Sequence, residues 1–380
     1  MHPARLIGLI VVCLPAFALQ AEAGGRSRFR VDQGILLKDG VPLWAHGVNA
    51  PDIFNRLLDD PSNRDYEQTF ALLKKKQIPF IRFWIAFYPV HWRLYKNDPE
   101  EFFRRMDLFV REAERQGIGL FPCLFWNPHA ITDLLGERFE QWGQSGSQTT
   151  AFMRDFLRAM GKRYGNSPAM WGVEMANEPA LGADLPNARD IYLKQGAIDD
   201  LGVRARTEKD FITSKVLAAM KANFSAAAVE AFPGALISTG DGLPRESAWH
   251  NTNRGTFEPD LPQQFRTILR RDNPKEFPLV SIHCYPENKK DFSRFAEAGK
   301  VSREQSQAVY WGEWGVPRGK PLSEWRDLLA AIKRDRIQIT AVWQYGLQSQ
   351  RDDWLITENN NRAFMLDDVS QLNRESPAFH

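Results

Sequence analysis

Residues 170–179 read MWGVEMANEP and combine an apolar stretch with a polar end that stops at a proline. The first part has the pattern of a buried strand. Asn177, Glu178 and Pro179 do not suit a strand interior, because proline has no backbone N–H to donate to a ladder. The stretch predicts a strand that presents an amide and a carboxyl group at its carboxyl end. That carboxyl group either pairs with a positive charge in a salt bridge or takes part in a reaction. The rest of the chain is needed to distinguish the two.

The same order of apolar strand, polar loop and amphipathic helix recurs along the chain. The predicted strands are 43–49, 78–84, 118–125, 170–177, 235–240, 279–284, 308–314 and 339–343. The clearest predicted helices are 65–77, 99–116, 149–164, 209–231 and 323–334, with weaker ones at 261–271 and 291–298. Eight strands that alternate with helices predict an α/β fold, a closed (β/α)₈ TIM barrel. The alternative is an open doubly wound sheet, which usually has a glycine-rich first strand–helix turn that is missing after Asn49.

The first residues have the composition of a secretory signal. An apolar run over residues 6–19 is short for a membrane span, and Ala21-Glu22-Ala23 fits the small-residue cleavage pattern. We therefore predict a signal peptide over residues 1–23 and a single (β/α)₈ domain over residues 24–380. Export to the periplasm or the exterior follows, without stable membrane insertion. An uncleaved anchor and a lipoprotein modified at Cys13 are the alternatives.

The start of the domain and its cysteines allow two smaller predictions. Residues 29–44 hold two extended runs around Asp39-Gly40, which predicts a β-hairpin that forms a small lid before the main fold. Cys123 and Cys284 lie within predicted core strands. Buried free thiols are favoured there, and a disulfide stays open.

The overall composition is that of a globular protein with nearly balanced charge. The 380 residues carry a net charge of +2, which argues against a nucleic-acid partner. The 12 tryptophans and 25 phenylalanines either fill a core or offer flat faces to sugar rings, and composition leaves both open. No cysteine–histidine cluster has zinc-site spacing, so we predict no metal and no other cofactor.

The active site of a (β/α)₈ barrel forms at the carboxyl ends of its strands. Those ends carry polar and aromatic residues, which are Asn49, Arg82, Trp126, Asn127, His129, Asn177, Glu178, Asp241, His283, Tyr285, Glu313, Trp314 and Trp343. Converging in one barrel mouth, they predict a site rather than a set of turns.

Glu178 and Glu313 end the fourth and seventh predicted strands. A glycosidic bond is broken by two carboxyl groups, of which one protonates the leaving oxygen and the other attacks the anomeric carbon or activates water. These roles need different pKa values. We predict that Arg82 and Tyr285 keep Glu313 ionised, and that a position at the rim keeps Glu178 protonated. The alternative is a pair of glutamates in surface salt bridges.

The chain resembles a glycoside hydrolase of clan A, most like family 5, the cellulase and mannanase family. The resemblance covers nearly all of the chain after the predicted signal. Its motifs, in order, are Gly47-Val48-Asn49, Arg82, Asn177-Glu178-Pro179, His283-x-Tyr285, Gly312-Glu313-Trp314-Gly315 and Trp343.

The resemblance implies roles for these residues. Glu178 is the acid/base and Glu313 the nucleophile, with retention of the anomeric configuration. Asn177 holds the sugar 2-hydroxyl, and Arg82 and Tyr285 orient Glu313. The other predicted substrate contacts are His283 in the site wall, Trp343 as the stacking floor, Trp126 and Trp314 beside strand tips, and His129 in the loop after strand 3.

Three features allow two interpretations each. Glu174 shares a strand face with Glu178, and a buried partner for Arg82 is favoured over a third catalytic carboxylate. The aromatic run at residues 84–88 is either helix-packing core or part of the site. Residues 249–250, a tryptophan and a histidine, are either a subsite or a loop anchor.

The expected activity is that of a secreted, metal-independent, retaining hydrolase of a β-linked polysaccharide or oligosaccharide. The expected substrate is β-1,4-glucan or mannan, and endo-action is favoured because an open barrel top with many aromatics suits the binding of a chain. A transglycosylase with the same residues, a non-catalytic carbohydrate-binding barrel and a metal-dependent barrel hydrolase are the alternatives. The sequence leaves the oligomeric state open.

Overall fold

The structure, a computed structural model, describes residues 28–193, 205–287 and 291–376. The predicted signal peptide at residues 1–23 lies outside the described residues, so export stays a prediction. Within the described ranges no helix combines the length and hydrophobicity needed to cross a membrane.

Eight parallel strands form a nearly closed barrel, which confirms the predicted fold. The strands are β4 (Ala45–Asn49), β5 (Phe80–Trp84), β6 (Gly119–Cys123), β7 (Gly172–Glu174), β8 (Leu236–Ser238), β9 (Leu279–Cys284), β10 (Ala308–Trp314) and β11 (Ile339–Val342). Their hydrogen-bonded order is β8-β7-β6-β5-β4-β11-β10-β9, and β8 and β9 lie side by side where the order ends.

The predicted strand bounds are accurate at β9 and β10 and too wide elsewhere. The largest difference is at residues 170–177, where the strand proper is only Gly172–Glu174. The chain nevertheless continues beside its neighbour, since Met175 N donates to Ser238 O at 2.9 Å and Glu178 N donates to Gly240 O at 2.8 Å. The chain then turns at Glu178, which adopts a left-handed conformation with φ of 50°.

The helices surround the barrel and connect consecutive strands. They are α1 (Ile53–Asp59), α2 (Asp65–Lys75), α3 (Pro89–Asn97), α4 (Pro99–Gln116), α5 (Pro128–Leu134), α6 (Gln148–Tyr164), α7 (Ala188–Tyr192), α8 (Ser214–Ala231), α9 (Ala248–Arg254), α10 (Pro262–Asp272), α11 (Asp291–Gln305), α12 (Leu322–Arg334) and α13 (Phe364–Glu375).

Capping residues explain where these helices begin and end. In α4 the Asp98 side chain accepts from Glu101 N at 3.0 Å, and Gly117 ends the helix with φ of 72°. Helix α8 begins later than the predicted residue 209, because the Thr213 side chain caps it by accepting from Val216 N. Residues Glu208–Asp210 form a separate 3₁₀ turn before this cap.

The amino-terminal segment closes the bottom of the barrel. It forms a three-stranded antiparallel sheet of β1 (Phe29–Asp32), β2 (Ile35–Lys38) and β3 (Val41–Pro42), one strand more than the predicted hairpin. Phe29 packs on Trp171 with ring centroids 5.6 Å apart, and Leu36 N donates to the Gln338 side chain at 2.7 Å. These partners lie at the amino ends of barrel strands, so the predicted lid covers the end opposite the predicted site.

Cys123 and Cys284 are free and buried, in β6 and β9 respectively. This confirms the favoured interpretation of the two thiols. They fill the strand interior as small apolar residues do.

Candidate active site

Glu313 lies at the carboxyl end of β10 and is 4% exposed. Arg82 Nη1 donates to its Oε1 at 2.7 Å, and the Tyr285 hydroxyl donates to its Oε2 at 2.6 Å. The pairing of β10 with β9 shifts register between Trp311 and Glu313, an irregularity of the kind that redirects a side chain. The two predicted neighbours of Glu313 are therefore in contact with it.

Arg82 is a buried guanidinium that joins the two predicted catalytic strands. Its Nε donates to Glu174 Oε1 at 2.7 Å, and its Nη2 donates to Asn177 Oδ1 at 2.6 Å. Burial lowers the pKa of Arg82, but Glu174 and Glu313 outweigh it and keep that pKa well above its usual value. Glu174, which is fully buried, is thus the structural partner that was predicted. Arg82 supplies a fixed positive charge beside Glu313 at any working pH.

Glu178 is held differently, because its carboxylate has an imidazole as partner. His283 Nδ1 lies 2.9 Å from Glu178 Oε1 and 3.5 Å from Glu313 Oε2. The Glu178 side chain is 29% exposed, whereas that of Glu313 is 5% exposed. A side chain at Gly242 would place its Cβ 2.6 Å from Glu178 Oε1, so any larger residue there would displace this carboxylate.

The protonation predicted for Glu178 is wrong in the free protein. Burial raises the pKa of Glu178, but the charge and hydrogen bond of His283 hold it below its ordinary value. Conversely, burial lowers the pKa of His283, but Glu313 and Glu178 outweigh it and raise that pKa. The pair therefore shares one proton that resides mainly on the imidazole. The sequence reasoning failed because it placed His283 in the site wall and not against Glu178.

The two carboxylates are close together. One oxygen of Glu178, one of Glu313 and a ring nitrogen of His283 all lie within 4.8 Å of one another. Among the described residues this is the one group of acids, histidines and cysteines spaced to hold a metal ion. The guanidinium of Arg82 at 2.7 Å from Glu313 opposes a further cation there.

A cleft of about 660 Å³ opens over the two glutamates. One side is an aromatic wall, which we define as Trp84, Phe87, Trp126 and Trp343. Phe87 lies 4.5 Å from Trp84 and 4.3 Å from Trp126 between ring centroids, and Trp343 lies 6.2 Å from Trp84. Trp343 Nε1 donates to Gln350 Oε1 at 2.8 Å, which fixes the indole. Trp126 and Trp343 thus lie where they were predicted.

The sequence left one part of this cleft undecided and gave no sign of another. The aromatic run at residues 84–88 belongs to the cleft, since Trp84, Phe87 and Tyr88 all line it. Helix α1 contributes Arg56, and Asp52 directly before this helix also lines the cleft. The run of aromatics directly after a barrel strand was the available signal for the first group. Nothing in the sequence pattern marked the residues of α1.

His129 and Trp314 do not reach the cleft, so both predicted contacts are wrong. The His129 ring is buried, donates from Nε2 to Asp210 O at 2.8 Å, and packs on Phe139 at 4.6 Å between ring centroids. Burial lowers the pKa of His129 to about 4. Trp314 is fully buried and stacks on Trp325 of α12 at 4.8 Å. Successive strand residues face opposite sides, so an inward Glu313 turns Trp314 toward the helices.

The loop after β8 is an anchor and does not line the cleft. Trp249 N donates to Asp260 Oδ2 at 2.7 Å, and His250 Nδ1 lies 2.8 Å from Asp260 Oδ1. Asp241 is fully buried and pairs with Lys221 at 2.5 Å. Of the two interpretations for residues 249–250, the loop anchor is therefore confirmed.

Comparison with known proteins shows extensive structural likeness and little sequence identity. No family model matches the chain. Mannan endo-1,4-beta-mannosidase A from Podospora anserina is 34% identical over 82 residues, which span 20% of this chain and only 22% of that protein.

Several solved structures match over nearly their whole length. The endo-1,4-beta-mannanase from Rhizomucor miehei has a TM-score of 0.65 at 16% identity, covering 93% of this chain and 99% of that one. An endocellulase from Pyrococcus horikoshii has a TM-score of 0.60 at 15% identity, with 92% and 99% covered. The beta-mannanase from the blue mussel Mytilus edulis has a TM-score of 0.57 at 14% identity, with 92% and 97% covered. At these identities the likeness establishes the barrel fold.

Proposed function

We propose that this chain is a retaining β-glycoside hydrolase of the family 5 type, with Glu313 as nucleophile and Glu178 as acid/base. The observation that carries the proposal is the pair of carboxylates with oxygens within 4.8 Å in different surroundings. Retaining enzymes hold their two carboxyl groups about 5–5.5 Å apart, whereas inverting enzymes need about 6.5–9.5 Å to admit a water. The spacing therefore supports retention.

In the first step Glu313 attacks the anomeric carbon and the bond from that carbon to the leaving oxygen breaks. Arg82 and Tyr285 hold Glu313 in place, and the positive charge of Arg82 faces its carboxylate. The leaving oxygen takes the single proton that Glu178 and His283 share across 2.9 Å, which leaves Glu178 ionised for the second step. Both electron pairs are accounted for, since the leaving group departs as an alcohol and the sugar stays bonded to Glu313.

In the second step Glu178 accepts a proton from water, which attacks the same carbon and releases Glu313. The sugar is inverted twice and so keeps its configuration. Asn177 has its Oδ1 committed to Arg82, which leaves its amide N–H groups to donate to a sugar hydroxyl. This is the role that the resemblance implies for Asn177.

The substrate that fits the cleft is a neutral β-linked glucan or mannan. The aromatic wall provides flat apolar faces for sugar rings, and the cleft is large enough for several sugars of a chain. Mannanases and cellulases are also the proteins whose structures this chain matches. The signal peptide predicted at residues 1–23 supports export, where such polymers are met.

The test is hydrolysis of a panel of β-glucans and β-mannans by the wild type, Glu313→Ala and Glu178→Ala. We expect Glu313→Ala to lower kcat roughly 10⁴-fold or more, because no nucleophile remains. Azide should then restore turnover and give a product of inverted configuration. Azide with Glu178→Ala should give a retained product, which separates the two roles. Glu230→Ala, an exposed glutamate on α8, is the control and should change nothing.

Near-normal turnover in either glutamate variant contradicts the assignment. An inverted product from the wild type would contradict retention. Product analysis with added acceptor sugars separates hydrolysis from transglycosylation, which uses the same residues. If chelator abolishes wild-type activity, the metal-dependent alternative is favoured.

A further inference from the structure

We propose that Lys221 and Asp241, which do not touch the cleft, position the acid/base Glu178 for proton transfer. The proposal rests on the proposed function, because it assigns a role relative to Glu178. We call these two residues the Lys221–Asp241 pair. It links the outer helix layer to the tip of β8, and from there to the segment that carries Glu178.

The pair is a deeply buried ion pair. Lys221 of α8 is 2% exposed and Asp241 is fully buried, with Nζ 2.5 Å from Asp241 Oδ2. Lys221 Nζ also donates to Asp272 O at 2.8 Å. Burying two charges carries a desolvation penalty that their attraction does not always offset. An apolar residue would suit this side of a barrel helix equally well, so packing alone does not account for the charges.

The contacts of Asp241 lead to Glu178. Asp241 Oδ1 accepts a hydrogen bond from Ala180 N at 2.9 Å, two residues after Glu178. Gly240, the residue before Asp241, accepts from Glu178 N at 2.8 Å. The segment 178–180 is therefore held at two points by residues 240–241. Arg245 adds a third contact, since its guanidinium donates to Ala180 O at 3.2 Å.

This hold matters because Glu178 has an unfavourable backbone conformation. Its φ of 50° is in the left-handed region, which is strained for a non-glycine residue and persists only where the surroundings enforce it. The approach of β8 is equally tight, because a Cβ at Gly240 would lie 1.8 Å from Ala176 O. Lys221 fixes the carboxylate of Asp241, and that carboxylate in turn holds the segment 178–180 in this conformation. Loosening it is expected to misplace the Glu178 carboxyl group while leaving Glu313 in place.

The test uses the dependence of rate on the leaving group, which a merely structural role would not change. Acid catalysis is needed for poor leaving groups and is dispensable for 2,4-dinitrophenol. We compare wild type, Lys221→Met and Glu178→Gln on aryl β-glycosides of one sugar whose leaving groups range from phenol to dinitrophenol. We expect Lys221→Met to lower kcat/KM roughly 30-fold on the phenyl glycoside and less than about threefold on the dinitrophenyl glycoside.

A matched control comes from another buried ion pair. Arg206 lies 2.8 Å from Asp133 with its side chain 4% exposed, and neither residue lines the cleft. Arg206→Met should lower stability but reduce the rates on both glycosides by the same factor. A uniform loss in Lys221→Met, matching this control, would overturn the proposal.

A double variant keeps the proposal testable if Lys221→Met does not fold. Lys221→Met/Asp241→Ala leaves neither charge of the pair unpartnered, so we expect it to fold, but it removes the acceptor of Ala180 N. It should show the same loss on the phenyl glycoside, and wild-type leaving-group dependence in it would overturn the proposal. If the rate loss in Glu178→Gln is confined to poor leaving groups and the loss in the variants of the Lys221–Asp241 pair is not, only the positioning role fails. A wild type inert on every β-glycoside overturns both the positioning role and the proposed function.

Discussion

Glu178 and Glu313 are the same chemical group at two strand ends, and the molecule holds them in opposite ways. Glu313 ends a seven-residue strand and is fixed through its side chain by Arg82 and Tyr285. Glu178 follows a three-residue strand, is fixed through its backbone, and has the titratable His283 at its carboxylate. A permanent charge suits a group that must stay ionised, and a titratable one suits a group that must exchange a proton.

Breaking the permanent charge is expected to have the largest effect. Arg82→Met leaves Glu174 and Glu313 without their cationic partner in a buried site, which costs about 3–5 kcal/mol of stability. We expect kcat to fall at least roughly 10²-fold, because Glu313 loses the guanidinium that orients it. Thermal unfolding and rates measured on the same preparation check both effects.

A matched control sharpens the point. Arg105→Met also removes an arginine from an ion pair, since Arg105 bonds the side chain of Glu101 within α4. A stability loss in Arg82→Met that is no larger than the loss in Arg105→Met would contradict this account of Arg82.

Two glycines allow a comparison of how Glu178 and its partner His283 are packed. A Cβ at Gly242 would lie 2.6 Å from Glu178 Oε1, and a Cβ at Gly312 would lie 2.9 Å from His283 Nε2. Because a carboxylate at the end of a flexible side chain can move, we expect Gly242→Ala to fold normally and lose roughly tenfold in kcat/KM. The loss should again be confined to poor leaving groups.

The buried His283 ring cannot move as easily, so Gly312→Ala should lower stability as well as activity. Unfolding curves and leaving-group profiles for both variants test the difference. If Gly242→Ala loses stability and retains full activity, the added methyl group does not displace the carboxylate of Glu178.

The smallest expected effect is a shift along the pH axis. The active form needs one proton on the Glu178–His283 pair, and this proton is lost as pH rises through the pKa of His283, which lies above its ordinary 6.5. His283→Asn keeps a neutral donor near Glu178 but removes the proton store. We expect the alkaline limb of kcat/KM to move to lower pH by roughly one unit. An unchanged limb would show that His283 does not hold the proton.

The fold was predictable because strand and helix periodicity is a local property. The strands predicted at residues 279–284 and 308–314 have the bounds that the structure shows, and the count of eight strands followed from the same pattern. The strand predicted at 170–177 was longer than the observed one. The left-handed turn at Glu178 that follows was not predicted, because it depends on contacts with residues 240–241. No local signal in residues 170–179 carries that information.

The site was predictable to the level of strand ends and no further. Arg82, Tyr285 and Glu313 were brought together correctly because the barrel itself brings strand ends together. Which way a side chain faces depends on register, so Trp314 and His129 were assigned to the cleft in error. The proton of Glu178 was misjudged for a related reason, since its pKa is set by a histidine 105 positions away in the chain.

The sheet at the bottom of the barrel has a consequence for the order of folding. Leu36 pairs with the side chain of Gln338, 302 positions later, and Phe29 N donates to Gly234 O. Contacts between such distant segments form late, because the entropy of closing the intervening loop must be lost first. Phe29 also packs on Trp171, so residues 29–42 contact the starts of β7, β8 and β11 together. The amino-terminal sheet therefore reaches its complete set of contacts only after β11, the last strand, has joined the barrel.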